Sequence, residues 1–573
     1  MAIFIAHFGV APQTQAVVPP PDGAYPNFTT AEGQNTLQSL TSGAANTALG
    51  AYSLFGTTTG SFNTAVGAGA LALNTGASNT AVGVAALLLN TGSQNTAVGV
   101  DALLFNSTGG FNTATGAFAL YLNSGGESNS AFGWGALESN TNGSENTATG
   151  IGALFLNTVG SENTANGSNA LKSNTTGDDN TAIGIRALFA NIAGFNNTAV
   201  GASALAGNID GSESTAVGEG ALFNNTTGSD NTATGSEALL LNQSGDGNTA
   251  VGAQALLTNT VSFNTAMGQA ALSHNTTGGT IGGGGFDETG PNTAVGANAL
   301  NQNTIGSSST AVGYQALGST QSGGFSTAVG FKALASSTQQ SNDAFGYKAL
   351  VSNTTGAENT AVGDLALFNN TTGDRNVALG NSAGFQSTGD NNVYIGWNLE
   401  GVPGESNACY IRSIFGGTSA NGVQVLINAD HKLGTMTSSK RFKEEIKPMN
   451  NASAGLFALQ PVSFRYRKDI DPAGISQFGL VAEDVEKVNP DLVVRDNEGK
   501  PYSVRYDHVN AMLLNEFLKE HRAFVEEQLR VADQQKEIDA LKEELKEQRY
   551  LIQKVSDKID VSQSTTKVAR VEP

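Results

Sequence analysis

The pentapeptide Asn-Thr-Ala-Val-Gly, or a close variant, starts at 21 positions between Asn46 and Asn392. The interval is 16 or 17 residues, except from Asn264 to Asn292, where 28 residues accommodate the insert TIGGGGFDETGP, expected to form a surface loop. A short unit repeated at a fixed period cannot enclose a core alone and must bury its faces against its neighbours, which predicts a solenoid. A typical unit reads NTAVGxxALxxNTTGxx, two short strand-like segments divided by Gly and by Asn-Thr-Gly turns.

Strand geometry places Thr64 and Val66 on one face and Ala65 and Gly67 on the other. The small face implies close backbone approach. Ala70-Leu71 and Ala86-Leu87 fill the second segment, and turn asparagines such as Asn74 and Asn90 are expected to stack as amide ladders. A single coil column is thin, so its Val and Leu side chains need cover. The reading is therefore a parallel homo-oligomer, a homotrimer, with the Val row facing the axis.

Composition divides the chain near residue 400. Residues 1–400 hold five Lys/Arg, 23 Asp/Glu and 61 of the 71 glycines, for a net charge of −18; residues 401–573 have a net charge of −2. No basic stripe offers a nucleic-acid surface, and no apolar run approaches the roughly 18 residues of a membrane span. The single Cys409 permits no intrachain disulfide, and the five dispersed histidines have no ligand spacing, so no metal and no cofactor is expected. Residues 1–16 read as a truncated signal segment ending at Thr14-Gln15-Ala16, or else as a disordered leader, and 17–45 as a Pro-rich linker and entry.

Three further segments follow the repeats of 46–400: connector strands at 401–437, a small α+β domain at 438–514 and a coiled coil at 515–560, with a tail at 561–573. The coiled coil rests on Phe517, Phe524, Val531, Ile538, Leu545, Ile552 and Ile559, which recur every seven residues. The fold class is mainly β: a β-solenoid shaft, an α+β domain and a helical coiled coil.

The repeats over 46–396 resemble the head repeats of trimeric autotransporter adhesins, whose Ser-Val-Ala-Ile-Gly is echoed as Asn-Thr-Ala-Val-Gly, in units two or three residues longer. Ser438-Ser439-Lys440-Arg441-Phe442-Lys443 resembles the Ser-Asp-x-Arg-x-Lys motif opening the intramolecular chaperone peptidase of endosialidase-type tail spikes, also found in the myelin regulatory factor family. LQPVSFRYR, QFGLVAEDVEKVNPDLV and YSVRYDHVNAMLLNEFLKE continue the likeness to about residue 560. It implies trimerisation, assistance to folding of the preceding fibre, and self-cleavage between Thr437 and Ser438. Ser438 would then be the nucleophile, Lys443 its base and Arg441 an orienting group. Ser439 stands where the family commonly has Asp.

A lysine serves as base only where burial or positive charge lowers its pKa, and Lys440 and Arg441 bring charge nearby. Positions five apart do not share a face of a helix or strand, so contact between Ser438 and Lys443 demands a bend or a lysine from another chain. The competing reading makes Ser438 and Ser439 helix caps, and His431 a loop residue or an assistant to Ser438.

The expected function is a secreted, cell-surface or virion fibre with a self-processing assembly domain, no enzymatic substrate but itself, and a cell-surface or glycan ligand. Alternatives are a tail spike acting on glycans, and an ice- or mineral-binding solenoid using the Thr64, Thr80 and Thr96 row.

Overall fold

The computed structural model describes residues 26–277, 290–414, 417, 420, 422–428, 431–496 and 498–566. Residues 1–16, part of the entry segment, most of the insert and the last seven residues lie outside this set. The chain divides into two compact units, residues 1–417 and 418–573.

The first unit is a β-solenoid. Three-residue strands, from β1 (Thr30–Glu32) and β2 (Thr47–Leu49) to β22 (Val393–Ile395) and β23 (Cys409–Ile411), form one 23-stranded sheet. Each strand is parallel to the next and in register, Thr64 opposite Thr80 and Ala65 opposite Ala81. The stack extends one coil beyond the pentapeptide copies at each end, because Thr-Ala-Glu-Gly at 30 and Cys-Tyr-Ile at 409 occupy the same register. The insert does not interrupt it: Thr265 pairs directly with Thr293, and the Asn292 amide still donates to Asn264 Oδ1 at 2.9 Å.

Alternation in the first segment follows the expected faces. The central Ala of each repeat strand is fully buried, whereas Thr and the third residue face outward. Gly67 approaches the next coil rather than the opposite wall. At φ 134°, a Cβ on it would lie 2.3 Å from the Gly83 carbonyl oxygen, so a side chain cannot fit.

The second segment is not a strand. It runs as a turn with left-handed backbone at every second residue, such as Ala85 (φ 54°) and Leu87 (φ 52°). The turn bends the chain tightly enough to drive both Ala86 and Leu87 into the coil, where each is fully buried. Leu therefore needs no subunit interface for its burial, contrary to the expectation for a thin column. Its strained conformation is held by hydrogen bonds between coils, Leu71 N–H to the Ala86 carbonyl and Leu87 N–H to the Ala102 carbonyl, both 2.9 Å.

Two asparagine ladders, not one, run beside this core. Among the turn residues, Asn90 donates to Asn74 Oδ1 at 2.7 Å and Asn106 donates to Asn90 Oδ1 at 2.6 Å. Among the pentapeptide asparagines, Asn146 Nδ2 and N–H both donate to Asn129 Oδ1, at 3.1 and 3.0 Å. The two ladders meet on glycine carbonyls: Gly160 accepts from Asn146 at 2.9 Å and from Asn157 at 2.8 Å. These side chains are fully buried yet hydrogen-bonded, which burial of an amide requires.

The C-terminal end of the stack is built differently. Tyr394 is fully buried in the column that elsewhere holds Ala, and Gly384 replaces the turn Leu, leaving room for its ring. Tyr410 stacks on it at 5.4 Å and donates to Glu405 at 2.6 Å, a bond that pushes the Tyr410 phenol up to about 12.

The second unit contains three antiparallel strand pairs: β24 (Val425–Ile427) with β25 (Leu433–Thr435), β26 (Val462–Phe464) with β27 (Gln477–Gly479), and β28 (Val493–Arg495) with β29 (Pro501–Val504). Helix α1 (Ala482–Val488) and the first turns of α2 (Tyr506–Thr566) close a small core of Val485, Leu492, Val493, Val504, Val509 and Met512. Helix α2 thus starts before, and ends beyond, the 515–560 span of the heptads. Its first turns belong to the α+β core. Among the described residues, no helix is long and apolar enough to cross a membrane.

Candidate functional site at residues 437–446

Thr437 and Ser438 are exposed and lie in neither helix nor strand, shortly before a 3-10 turn at Lys440–Phe442. Ser439 flanks that turn with φ −64° and ψ 138° and makes no side-chain cap, so the capping role has no hydrogen bond behind it. The turn is closed by backbone bonds instead, Phe442 N–H to the Ser439 carbonyl at 3.0 Å and Lys443 N–H to the Lys440 carbonyl at 3.2 Å.

This turn lies between Ser438 and Lys443. Ser438 and Lys443 line the same open depression, with Lys440, Glu445 and Ile446. Both remain exposed, and among the described residues no hydrogen bond joins them. The Arg441 guanidinium lies over the Phe442 ring, 4.6 Å from its centre. His431, in the turn between β24 and β25, is exposed and donates its N–H to the Asn428 carbonyl at 3.0 Å. Among the described residues, no cluster of three His, Cys, Asp or Glu side chains is placed to hold a metal.

A polar junction downstream was not visible in the sequence. The 3-10 segment Asn450–Ala458 packs on α2, where the fully buried Ser453 hydroxyl donates to the Glu516 carboxylate. Asn515 donates to Ser453 Oγ at 2.6 Å and to the Asn450 carbonyl at 2.9 Å, and Lys519 lies 2.7 Å from Glu516. The donors from Lys519, then Ser453, hold the Glu516 carboxyl below its ordinary value. This junction ties the segment following Ser438 to the start of the heptads. Phe517, the first of the heptad residues, is next to Glu516 in the chain.

The heptad residues themselves are exposed in a single chain, although the Phe517 ring stacks on that of His521 at 6.3 Å. Exposure runs from 46 % at Ile538 to 67 % at Ile552, and Phe517, Phe524, Val531, Leu545 and Ile559 fall between. These residues form an exposed apolar row along α2.

Comparison with curated proteins and with solved structures gave no match. Residues 438–494, from the candidate nucleophile to the second residue of β28, match the family model described as chaperone of endosialidase.

Proposed function

We propose that this protein is a trimeric fibre or spike-like shaft, secreted or carried on a cell or virion surface, whose C-terminal chaperone segment drives assembly and then releases itself. A chaperone-of-endosialidase segment behind a β-solenoid fits a tail-fibre or spike-like protein. The observation that carries the assembly reading is the exposed heptad row on α2, joined to the matched segment through Ser453, Asn515 and Glu516. On the shaft, the outward third residue of each strand supplies a second self-contact row, including Val82, Val98, Val217 and Phe345.

In the release step, Ser438 Oγ attacks the Thr437 carbonyl while Lys443, as a free amine, takes the hydroxyl proton and passes it to the departing amide nitrogen. Thr437 is then held as an ester on Ser438 Oγ, and the Ser438 amine is free. Water hydrolyses the ester, leaving a Thr437 carboxylate and the restored hydroxyl. The exposed depression of a single chain does not desolvate Lys443, so trimer formation must complete the site, with the lysine of the same chain or of a neighbour. Cleavage then waits for assembly.

Mass spectrometry of purified protein tests this. Wild type should yield a fragment of residues 438–573, while Ser438→Ala and Lys443→Ala should each leave full-length chain. Release of the same fragment from Ser438→Ala would refute the assignment.

A further inference from the structure

One region of the shaft is unlike the rest. Four successive coils bring together aromatic rings and carboxylates on the outer surface. Phe105 packs edge-on against Tyr121 at 5.2 Å, Tyr121 against Phe118 at 5.8 Å, Phe118 against Trp134 at 6.3 Å, and Trp134 stacks on Phe155 at 6.2 Å. Trp134 is 50 % exposed. Asp101 and Glu138 sit among these rings, half-buried, and neither makes an ion pair or a side-chain hydrogen bond among the described residues.

Gly135 forms the floor between the acid and the ring. A Cβ built there would sit 3.1 Å from both Glu138 Oε2 and Phe155 Cε2, so the absence of a side chain keeps that space open. Burial raises the pKa of both carboxyls, and the Tyr121 phenol is raised by burial and then by the charges of Asp101 and Glu138. The two carboxyls thus lack the positive charge that would relieve them.

Elsewhere the shaft supplies that charge itself. Lys172 and Arg186 sit over Phe189, at 5.7 and 4.7 Å, and Lys332 and Lys348 sit over Phe331 and Tyr347, at 5.6 and 5.2 Å. Four of the five basic residues before position 401 are used in this way. The nearest along the aromatic column, Lys172, directs its ammonium to Phe189 and not to the Trp134 cluster.

We infer that the cluster of Asp101, Phe118, Tyr121, Trp134, Glu138 and Phe155 is a binding site for a ligand bearing an ammonium group. The ring faces attract the cation through their quadrupoles, and the two carboxylates provide its counter-charge. The net charge of −18 on residues 1–400 draws such a ligand toward the shaft. The ammonium could belong to a deacetylated amino-sugar polymer or to a choline headgroup; the recognised chemistry is the same.

Trp134 and Trp397 are the only two tryptophans, so in a full-length Trp397→Phe background the emission of Trp134 reports directly. Tetramethylammonium chloride is titrated against sodium chloride at equal ionic strength, followed by glucosamine oligomers, phosphocholine and N-acetylglucosamine oligomers. Saturable change with tetramethylammonium, but not with sodium, is expected. A response to glucosamine oligomers or to phosphocholine identifies the source. Asp101→Asn with Glu138→Gln, isosteric changes whose folding is checked by circular dichroism, should weaken binding about tenfold or more. The inference is overturned by no saturable response to any ammonium probe, by an equal response to the N-acetylated oligomers, or by undiminished binding in the double variant.

Discussion

Replacing one ladder asparagine separates two contributions to shaft stability, acceptance of a backbone amide and donation along the stack. Asn146 is a suitable site because its bonds are fully specified. Its Oδ1 accepts from Asn163 N–H at 3.0 Å and from Asn163 Nδ2 at 3.1 Å, and its Nδ2 donates to Asn129 Oδ1 and to the Gly160 carbonyl. In Asn146→Ala the neighbours keep alternatives: Asn163 Nδ2 still reaches Gly177 at 2.8 Å, Gly160 still accepts from Asn157, and Asn129 Oδ1 still accepts the residue-146 N–H. Only the buried Asn163 N–H is orphaned. That loss costs about 1–3 kcal/mol, and the two lost donor bonds bring the total to about 2–4 kcal/mol. Asn146→Ser should cost only about 1 kcal/mol, because a hydroxyl at this position can accept that amide. The chain already uses this arrangement: Asn231 N–H donates to Ser214 at 3.3 Å and Asn342 N–H to Ser326 at 3.2 Å. Hydrogen exchange by mass spectrometry, read on the peptide carrying the Asn163 amide, should show at least about thirtyfold faster exchange in Asn146→Ala and less than about tenfold in Asn146→Ser. Equal acceleration in the two variants would mean that amide acceptance is not what the ladder contributes.

Three other perturbations act elsewhere. Asparagine at both Ile538 and Leu545 removes two side chains worth roughly 1.5–3 kcal/mol each per chain if buried in a coiled coil, and sedimentation should show loss of the oligomer with slowed release of the 438–573 fragment. Glu516 has a lowered folded-state pKa, so its contribution is fully present above its ordinary value of 4.5 and is lost as pH falls through the lowered value; Glu516→Gln should flatten the acid limb of the second unit's thermal unfolding curve. Deleting residues 129–145 removes one whole repeat and should shorten a rod of roughly 100 Å by one step of about 4.8 Å in electron micrographs, whereas deleting half a repeat should disrupt it.

The repeat made the coil count legible because one pentapeptide produces one strand, and the ladder was legible at Asn74 and Asn90 because buried amides at a fixed period can satisfy each other only along the stack. The turn at Ala85–Leu87 was not. A left-handed Leu opposes local preference, and only hydrogen bonds to adjacent coils compensate for it, so the conformation is a property of the array. The terminal coils at Thr30 and Cys409 escaped for a simpler reason: register is preserved there while the motif is not. In the second unit, the motif at Ser438 and the heptads could be read locally. The Ser453–Glu516 junction joins residues 63 apart in the chain through no repeating pattern, and nothing in either neighbourhood signals the other.

Under the proposed function, these features explain why such a shaft would benefit from an assembly segment at its C-terminal side. Each coil is incomplete until its neighbour is present. Thr64 donates forward to the Asn79 carbonyl and Leu71 to Ala86, while Gly67 donates back to Leu49. An isolated coil therefore has unsatisfied backbone and uncovered Ala and Leu, and the first pair must form at a loss before later coils propagate with gain. The Ala and Leu columns offer little to offset that loss. The last coils differ, because Tyr394 and Tyr410 place two stacked rings where the other coils carry Ala, and Gly384 makes room for the first. The largest fully buried side chain of the shaft thus lies at the end adjoining, in sequence, the segment that matches a chaperone family. Bringing three copies of that end together through α2 would raise the local concentration where nucleation is least costly, and register set there would be inherited by each later coil, since in-register pairing is enforced from one strand to the next.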